Sequence, residues 1–303
     1  MHWRKLATTT TGWFLVGYAA ARKLWLSTMS GTPRFDVKAF HDQLTTSSLG
    51  RSLLYEEQMT STMTVAQEVL KTEGRAAHGK GFLCEEQTAG IGRRGRDWRS
   101  AANGNIYFSF IWAPTTDTTK ELMSSMFKLN FAISIATVKA AQAVGVETAR
   151  IKWPNDVWIG TRKLSGMLVN FDGKTGGVAG VGINVNEVFD TTDAQLPAVS
   201  LAQESGEEVA RETVLAAFCN SLEHIMTLPM HEVLNLYAEH DMLKGRTVRV
   251  YHRARGEDDE KDYDAQVLGF TPSGNLLVKK CQGGEQVALS GEEISVRPQA
   301  SAE

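Results

Sequence analysis

Lys152–Trp153–Pro154–Asn155–Asp156 runs directly into Val157–Trp158–Ile159, the polar turn Gly160–Thr161–Arg162–Lys163, then Leu164–Ser165–Gly166 and Met167–Leu168–Val169. This stretch decides the fold class. Pro154 fixes its own φ and keeps Trp153 out of the helical region, so the first five residues form a corner. Asn155 and Asp156 are ordinary turn residues. Two apolar triplets around a polar turn read as a β-hairpin. Taken alone, the plainer reading is a strand–turn corner whose Trp packs in the core. The functional reading is a rigid mount that presents an amide and a carboxylate.

Working outward, Val178 to Val185 is a further strand, interrupted by Gly180 and Gly182. Glycines inside a buried strand mark either a bulge or close approach by a ligand or another backbone. Toward the N-terminus, Leu122, Met126, Leu129, Ile133, Ala136 and Ala140 recur at helical spacing between Lys120 and Gly145. Ile106, Phe108, Phe110 and Trp112 alternate with Tyr107, Ser109 and Ile111, the pattern of a half-buried strand. Gly81 to Cys84 is a short strand, and a capped helix runs from the hydroxyl cluster Thr60–Ser61–Thr62 to Gly74. Helices over 211–227 and 230–242 follow. The expected class is α+β, with a mixed β-sheet flanked by helices. From Lys244 onward short strands at 247–251, 263–268, 276–280 and 287–296 predict a small β-barrel, with the domain boundary near 241–245.

The chain has 303 residues, 32 basic and 35 acidic, for a formal charge of -3. That balance excludes a global basic surface for nucleic acid, so any anion site is a local cluster. Cys84, Cys219 and Cys281 are too far apart for a disulfide framework or a structural zinc site. Residues 1–35 contain no Asp or Glu but do contain Arg4, Lys5, Arg22, Lys23 and Arg34. An acid-free, basic, hydroxyl-rich start is similar to a mitochondrial transit peptide. The uncharged run from Leu6 to Ala21 falls short of the ~20 apolar residues of a spanning helix, so no stable membrane span is expected.

Two local clusters carry chemistry. Gly90–Ile91–Gly92–Arg93–Arg94–Gly95–Arg96–Asp97–Trp98 sits in an 18-residue stretch between two predicted strands. Glycines let backbone N–H groups face an anion, arginines add bidentate donors for phosphate or carboxylate, and Trp98 offers a flat face to a base. The spacing is neither a Walker A loop nor a Rossmann turn. Lys163, in the hairpin turn, becomes relevant only if it points at this loop. No Ser-His-Asp set, paired carboxylates, metal-ligand spacing or covalent nucleophile stands out, which points to chemistry done by positioning and electrostatics, as in adenylyl transfer.

In this order the motifs resemble the biotin protein ligase family, from about Tyr55 to Arg297. Glu86 to Trp98 is similar to the family's glycine–arginine loop, Lys152–Asp156 to its KWPND motif, Arg162–Gly166 to its RKL-[AS]-G segment, and Gly182–Ile183–Asn184 to its G-[IL]-N strand. The resemblance implies a class II synthetase-like catalytic domain over 46–242, a C-terminal SH3-like barrel over 243–303, and an extension over 1–45. It implies activation of biotin by ATP and Mg²⁺ to biotinyl-5′-AMP, then transfer to a lysine of a carboxylase's biotin-carrier domain. Mg²⁺ would travel with ATP, with no dedicated protein site. By position, Ser61, Thr62, Met63 and Gln87 would hold biotin, and Gly90, Ile91, Gly92 and Arg93 would close over it. Lys163, Arg93 and Asp156 would be catalytic. Arg93, Arg96, Trp98, Asn155, Asn184, Glu293 and Arg297 would bind ATP. Two departures matter: Ile91 stands where the family has Arg, and Met63 where it has Asn. No helix-turn-helix pattern precedes the catalytic region, so a repressor role is not expected. Location is expected to be cytoplasmic, with mitochondrial targeting by residues 1–35 as the alternative. The rival readings are a lipoate or octanoate ligase and a nucleic-acid-binding module.

Overall fold

In a helix-flanked sheet a strand with no exposed face is an interior one, and here Ile106–Trp112 (β3) is buried at every residue. The computed structural model describes residues 34–102, 104–116, 118–190, 197–252, 262–271, 273–290 and 294–298. A helix at Val37–Asp42 (α1) leads into Leu53–Met59 (β1), Thr62–Glu73 (α2) and Gly81–Gln87 (β2). After β3 come Thr119–Gln142 (α3), Ala149–Lys152 (β4), Asp156–Ile159 (β5), Arg162–Phe171 (β6) and Gly177–Ile183 (β7). The strands form one mixed sheet in the order β1-β2-β3-β7-β6-β5-β4. β1 and β2 are parallel, and every other pair is antiparallel.

Helices cover both faces. Met63, Ala66 and Leu70 of α2 pack with Phe82, Ile111 and Val178 on one face. On the other, Phe108 and Phe110 meet Phe218 edge-on. Phe218 belongs to a helix at Arg211–Thr227 (α5), which packs against α3 and follows the short helix Leu201–Ser205 (α4). This double cover is why 106–112 is buried throughout rather than half-buried as its alternation predicted. The α3 terminus is set by a capping box, with Thr118 and Glu121 reciprocally bonded.

Residues 35–45 were expected to belong to the N-terminal extension, yet the chain joins the body at Phe35. Phe35 and Phe40 are buried beside Tyr55. The Phe35 N–H and the Tyr55 hydroxyl donate to Glu85 Oε1, and Arg211 holds both Glu85 oxygens at 2.5 and 3.0 Å. A buried carboxylate is tolerable only when paired in this way. Residues 1–33, with the targeting expectation, lie outside the described residues.

After Met230–His240 (α6) the chain enters a second, five-stranded antiparallel sheet. Its strands are Thr247–His252 (β8), Tyr263–Phe270 (β9), Leu276–Lys280 (β10), Gln286–Leu289 (β11) and Ile294–Pro298 (β12), in the order β11-β10-β9-β8-β12. The run 287–296, expected as one strand, is two, on opposite edges of the sheet. Phe270 of this sheet packs edge-on against Phe131 of α3 and Tyr237 of α6. Among the described residues no helix is long and apolar enough to cross a membrane.

Candidate active site

The predicted glycine–arginine loop is less irregular than its sequence suggests. Trp98 N–H donates to the Gly90 carbonyl, Ile91 bridges Asp97, and Gly92 N–H donates to the Arg96 carbonyl. The tip is a single 3₁₀ turn, Arg93–Gly95, with Gly95 at φ +69°. A Cβ on Gly90 would lie 2.4 Å from the Trp98 carbonyl oxygen, so this small ladder requires glycine there. The loop folds back toward the sheet and carries Arg93 to the KWPND corner. Arg93 Nη1 donates to Asn155 Oδ1 at 2.5 Å. Asn155 is fixed from behind: its Nδ2 donates to the Met167 carbonyl, and its own carbonyl accepts from Met167 N–H. Trp153 is buried in the core. The corner is thus both things at once, a core anchor and a mount for polar groups.

Lys163 does point at the loop. Its ammonium pairs with Asp156 Oδ1 at 2.8 Å and stands 5.2 Å from the centre of the Trp98 ring. The ring rests on two bare strand positions. A Cβ on Gly182 would come within 2.3 Å of it, and one on Gly166 within 2.9 Å. β7 keeps continuous register through both of its glycines, so they are not a bulge. What approaches closely is Trp98 at Gly182 and the Met63 thioether at Gly180, 2.6 Å from an added Cβ.

Beneath lies a pocket open to solvent. Thr62, Gln87 and Ser109 form a polar patch in its wall, with Met63, Val181 and Leu168 as apolar lining. Ile91, Gly92, Trp98, Asn155 and Lys163 line it as well. Gln87 Oε1 accepts from both the N–H and the hydroxyl of Thr62, and Thr62 Oγ1 lies 2.7 Å from Ser109 Oγ. Polar acceptors, an apolar stretch and a cationic group within one slot suit an elongated acid with a polar head.

Among the predicted site residues, Thr62, Met63, Gln87, Ile91, Gly92, Trp98, Asn155 and Lys163 line this pocket. Arg93, Asp156 and Gly90 bond or pack directly against residues that do. Ser61 is buried, and its hydroxyl has no protein partner. Arg96 is exposed beside the loop's tip, outside the lining. Asn184 is also outside it, because its Nδ2 clasps the Lys163 and Val199 carbonyls. Arg297 is placed opposite Arg249 on β8, in the second sheet. Glu293 lies outside the described residues. Ser109 escaped the sequence reading. The available signal was the one aliphatic hydroxyl in a strand otherwise made of aromatic and aliphatic residues.

The sequence pattern of the biotin/lipoate A/B protein ligase family matches residues 55–186, a span that holds the whole pocket lining. The bifunctional ligase/repressor BirA of Escherichia coli is 31% identical over 239 residues, 76% of this chain and 70% of that protein. The chain belongs to the biotin protein ligase family. The biotin–[acetyl-CoA-carboxylase] ligase of Paracoccus denitrificans is 30% identical over 52% of this chain and 67% of its own length. The biotin protein ligase of Aquifex aeolicus, solved with biotin and ATP, superposes with a TM-score of 0.67 at 24% identity, covering 82% of this chain and 100% of that one. The large mixed sheet is therefore the catalytic fold of biotin protein ligases, and this chain is a ligase enzyme of that family.

Proposed function

We propose that this ligase condenses biotin with ATP to give biotinyl-5′-AMP, then passes the biotinyl group to a lysine of a carboxylase's biotin-carrier domain. The observation that carries the assignment of roles is the convergence on one pocket of three separate segments: Thr62 with Gln87, the Arg93 loop, and Lys163 with Asp156. Biotin places its ureido head against Thr62 and Gln87, with Ser61 beneath, and its valeryl chain along Met63 and Leu168. Its carboxylate then lies near Lys163 and the Gly92 N–H. ATP brings its α-phosphate to Arg93, held in aim by Asn155, with adenine against Trp98. Asn184 shapes the adenine end by fixing the strand end that carries it, and Arg96 contributes long-range positive charge.

Lys163 is the group placed to follow negative charge from the carboxylate to the bridging oxygen of the forming anhydride, so its effect is greatest in the transition state. Asp156 orients Lys163 and receives the acceptor lysine. Asp156 is paired with Lys163 and the Asn155 amide oxygen with Arg93, so Mg²⁺ would travel with ATP and supply charge neutralisation on the phosphates. We further propose that residues 243–303 form an SH3-like domain whose Glu293 and Arg297 assist ATP binding, with the catalytic domain ending near 242. The enzyme is proposed to act in the cytoplasm, with mitochondrial import through residues 1–35 as the competing outcome of a fluorescent fusion.

The test is pyrophosphate release by purified protein with ATP, Mg²⁺ and biotin, beside parallel reactions with lipoate and octanoate. A carrier domain and labelled biotin follow for the second step. Release driven by lipoate or octanoate and not by biotin would overturn the substrate assignment. The nucleic-acid reading gains no support, since the chain's formal charge is -3 and no series of stacking aromatics accompanies the basic loop.

A further inference from the structure

The direction of the hydrogen bonds in the pocket wall can be solved. Gln87 Oε1 accepts from the Thr62 backbone N–H at 3.0 Å, and a backbone N–H can only donate, so this atom of the amide is its oxygen. The same oxygen lies 3.2 Å from Thr62 Oγ1, so the Thr62 hydroxyl proton is spent on Gln87. Thr62 Oγ1 is also 2.7 Å from Ser109 Oγ. Either hydroxyl could donate at 2.7 Å, and only with Ser109 donating to Thr62 and Thr62 to Gln87 does each contact hold a hydrogen. The reverse arrangement would leave two lone pairs facing each other between Thr62 and Gln87. Gln87 Nε2 in turn donates to Ser100 Oγ at 3.3 Å, on the far limb of the loop that carries Trp98. The relay therefore runs one way, from Ser109 through Thr62 and Gln87 to Ser100.

Ser109 is fully buried, lines the pocket, and has spent its only proton. Its remaining capacity is as an acceptor. From this we propose that Ser109 is a specificity-determining residue: its hydroxyl oxygen, oriented by Thr62 and Gln87, makes this wall of the pocket accept hydrogen bonds, selecting a ligand head that carries N–H donors. The inference rests on the biotin reading and deepens it, since a cyclic urea brings N–H groups to such a wall. A dithiolane or an alkyl chain brings none and leaves buried oxygens unpaired. A pocket built around a substrate hydrogen bond can reject analogues lacking it by roughly 10⁴-fold. The apolar neighbours tighten the requirement. Gly180 opposite Ser109 has no side chain, and the space is taken by the Met63 thioether, a poor hydrogen-bond partner.

The experiment compares wild type, Ser109→Ala and Ser109→Thr in pyrophosphate release with varied biotin and varied ATP. Ser109→Ala should raise KM for biotin about tenfold, the scale of one unmade hydrogen bond. kcat and KM for ATP should stay unchanged, because the contact is equal in ground and transition states. Ser109→Thr keeps the hydroxyl and should stay within about threefold of wild type. Ring carbamates of biotin, each with one ureido N–H replaced by oxygen, supply a measurement independent of folding. For one of the two, Ser109→Ala should no longer matter, giving a coupled cycle. Unchanged biotin KM in Ser109→Ala, or additive effects with both carbamates, would overturn the role of Ser109. Wild-type enzyme inactive with biotin would instead overturn the substrate reading, so the two failures are distinguishable.

Discussion

Gly182→Ala tests whether the bare strand positions exist to seat Trp98. An added Cβ would lie 2.3 and 2.5 Å from two ring atoms, against an ordinary contact of about 3.5–4 Å. Something must therefore shift by more than an ångström. β7 cannot, because Gly182 is held in register between Tyr107 on β3 and Gly166 on β6. The ring is the part that yields, since the loop bearing it is tied down by a few backbone bonds around Gly90, Gly92 and Trp98. Overpacking of this kind costs about 1–3 kcal/mol. Because a loop absorbs it, the cost falls on the closed loop and not on the global fold. Two kcal/mol on closure is roughly a thirtyfold rise in KM for ATP, with thermal stability nearly unchanged. The decisive assay is a cycle. In a Trp98→Ala background the clash is gone, and Gly182→Ala should be almost silent. Equal effects of Gly182→Ala in both backgrounds would refute the seat.

Three further outcomes are expected. Lys163→Ala should lower adenylate formation 10²–10³-fold while biotin binding, measured by calorimetry, weakens far less; near-normal pyrophosphate release would sink the assignment. Asn155→Ala removes the acceptor that holds Arg93 at 2.5 Å and should raise KM for ATP by roughly tenfold without lowering the melting temperature by more than a few degrees. Glu223→Gln should destabilise the fold. Desolvation, the largest influence on that carboxyl, pushes its pKa up, but the N–H groups of Leu49, Ser47 and Ser48 and the Ser48 hydroxyl outweigh it and bring it from 4.5 to about 2. The folded value is the lower one, so the stabilisation is complete above 4.5 and fades as pH falls toward 2. At face value it is about 3 kcal/mol, and solvent screening of this half-exposed group reduces it to about 1–2. Urea melts of wild type and variant should differ at pH 7 and converge near pH 2–3.

The parts of the fold legible in the sequence were those governed by short-range rules. Helical spacing placed α3 and α5, the Gly160 turn placed the β5–β6 hairpin, and Gly74 ended α2. What escaped depends on neighbours distant in sequence. β1 carries Glu56, Glu57 and Gln58 and shows little alternation, because an edge strand need bury only part of itself. β4 is four residues long and acquires its identity from pairing with β5. Phe35 looked like the end of a polar extension until Glu85 and Arg211, 50 and 176 positions later, supplied partners for its backbone and ring. At the site, Lys163 and the glycine–arginine loop were recognisable separately. Their meeting needed the sheet order, which sets β6 beside β7 and β7 beside β3. Ser109 was invisible for the same reason, since its importance comes from Thr62, 47 residues away.

Four of the proposed ligand-contacting groups are already matched to a protein partner. Lys163 holds Asp156, Arg93 holds Asn155, Trp98 rests on two glycines, and Thr62 holds Gln87. At these groups binding is an exchange of partners, not the capture of idle ones. That arrangement limits ground-state affinity, because new contacts at these groups displace old ones. It favours catalysis, because the charges are aimed before substrate arrives and need little reorganisation as negative charge moves. The Lys163–Asp156 pair shows why the exchange matters for a two-step reaction. While Lys163 is bound to Asp156, the carboxylate has a cation and the cation has an anion. Once an acyl phosphate draws Lys163 away, Asp156 is left needing a cation at the same place. On the proposed roles, the ammonium group of the acceptor lysine fills that need, so completion of the first half-reaction prepares the site for the second.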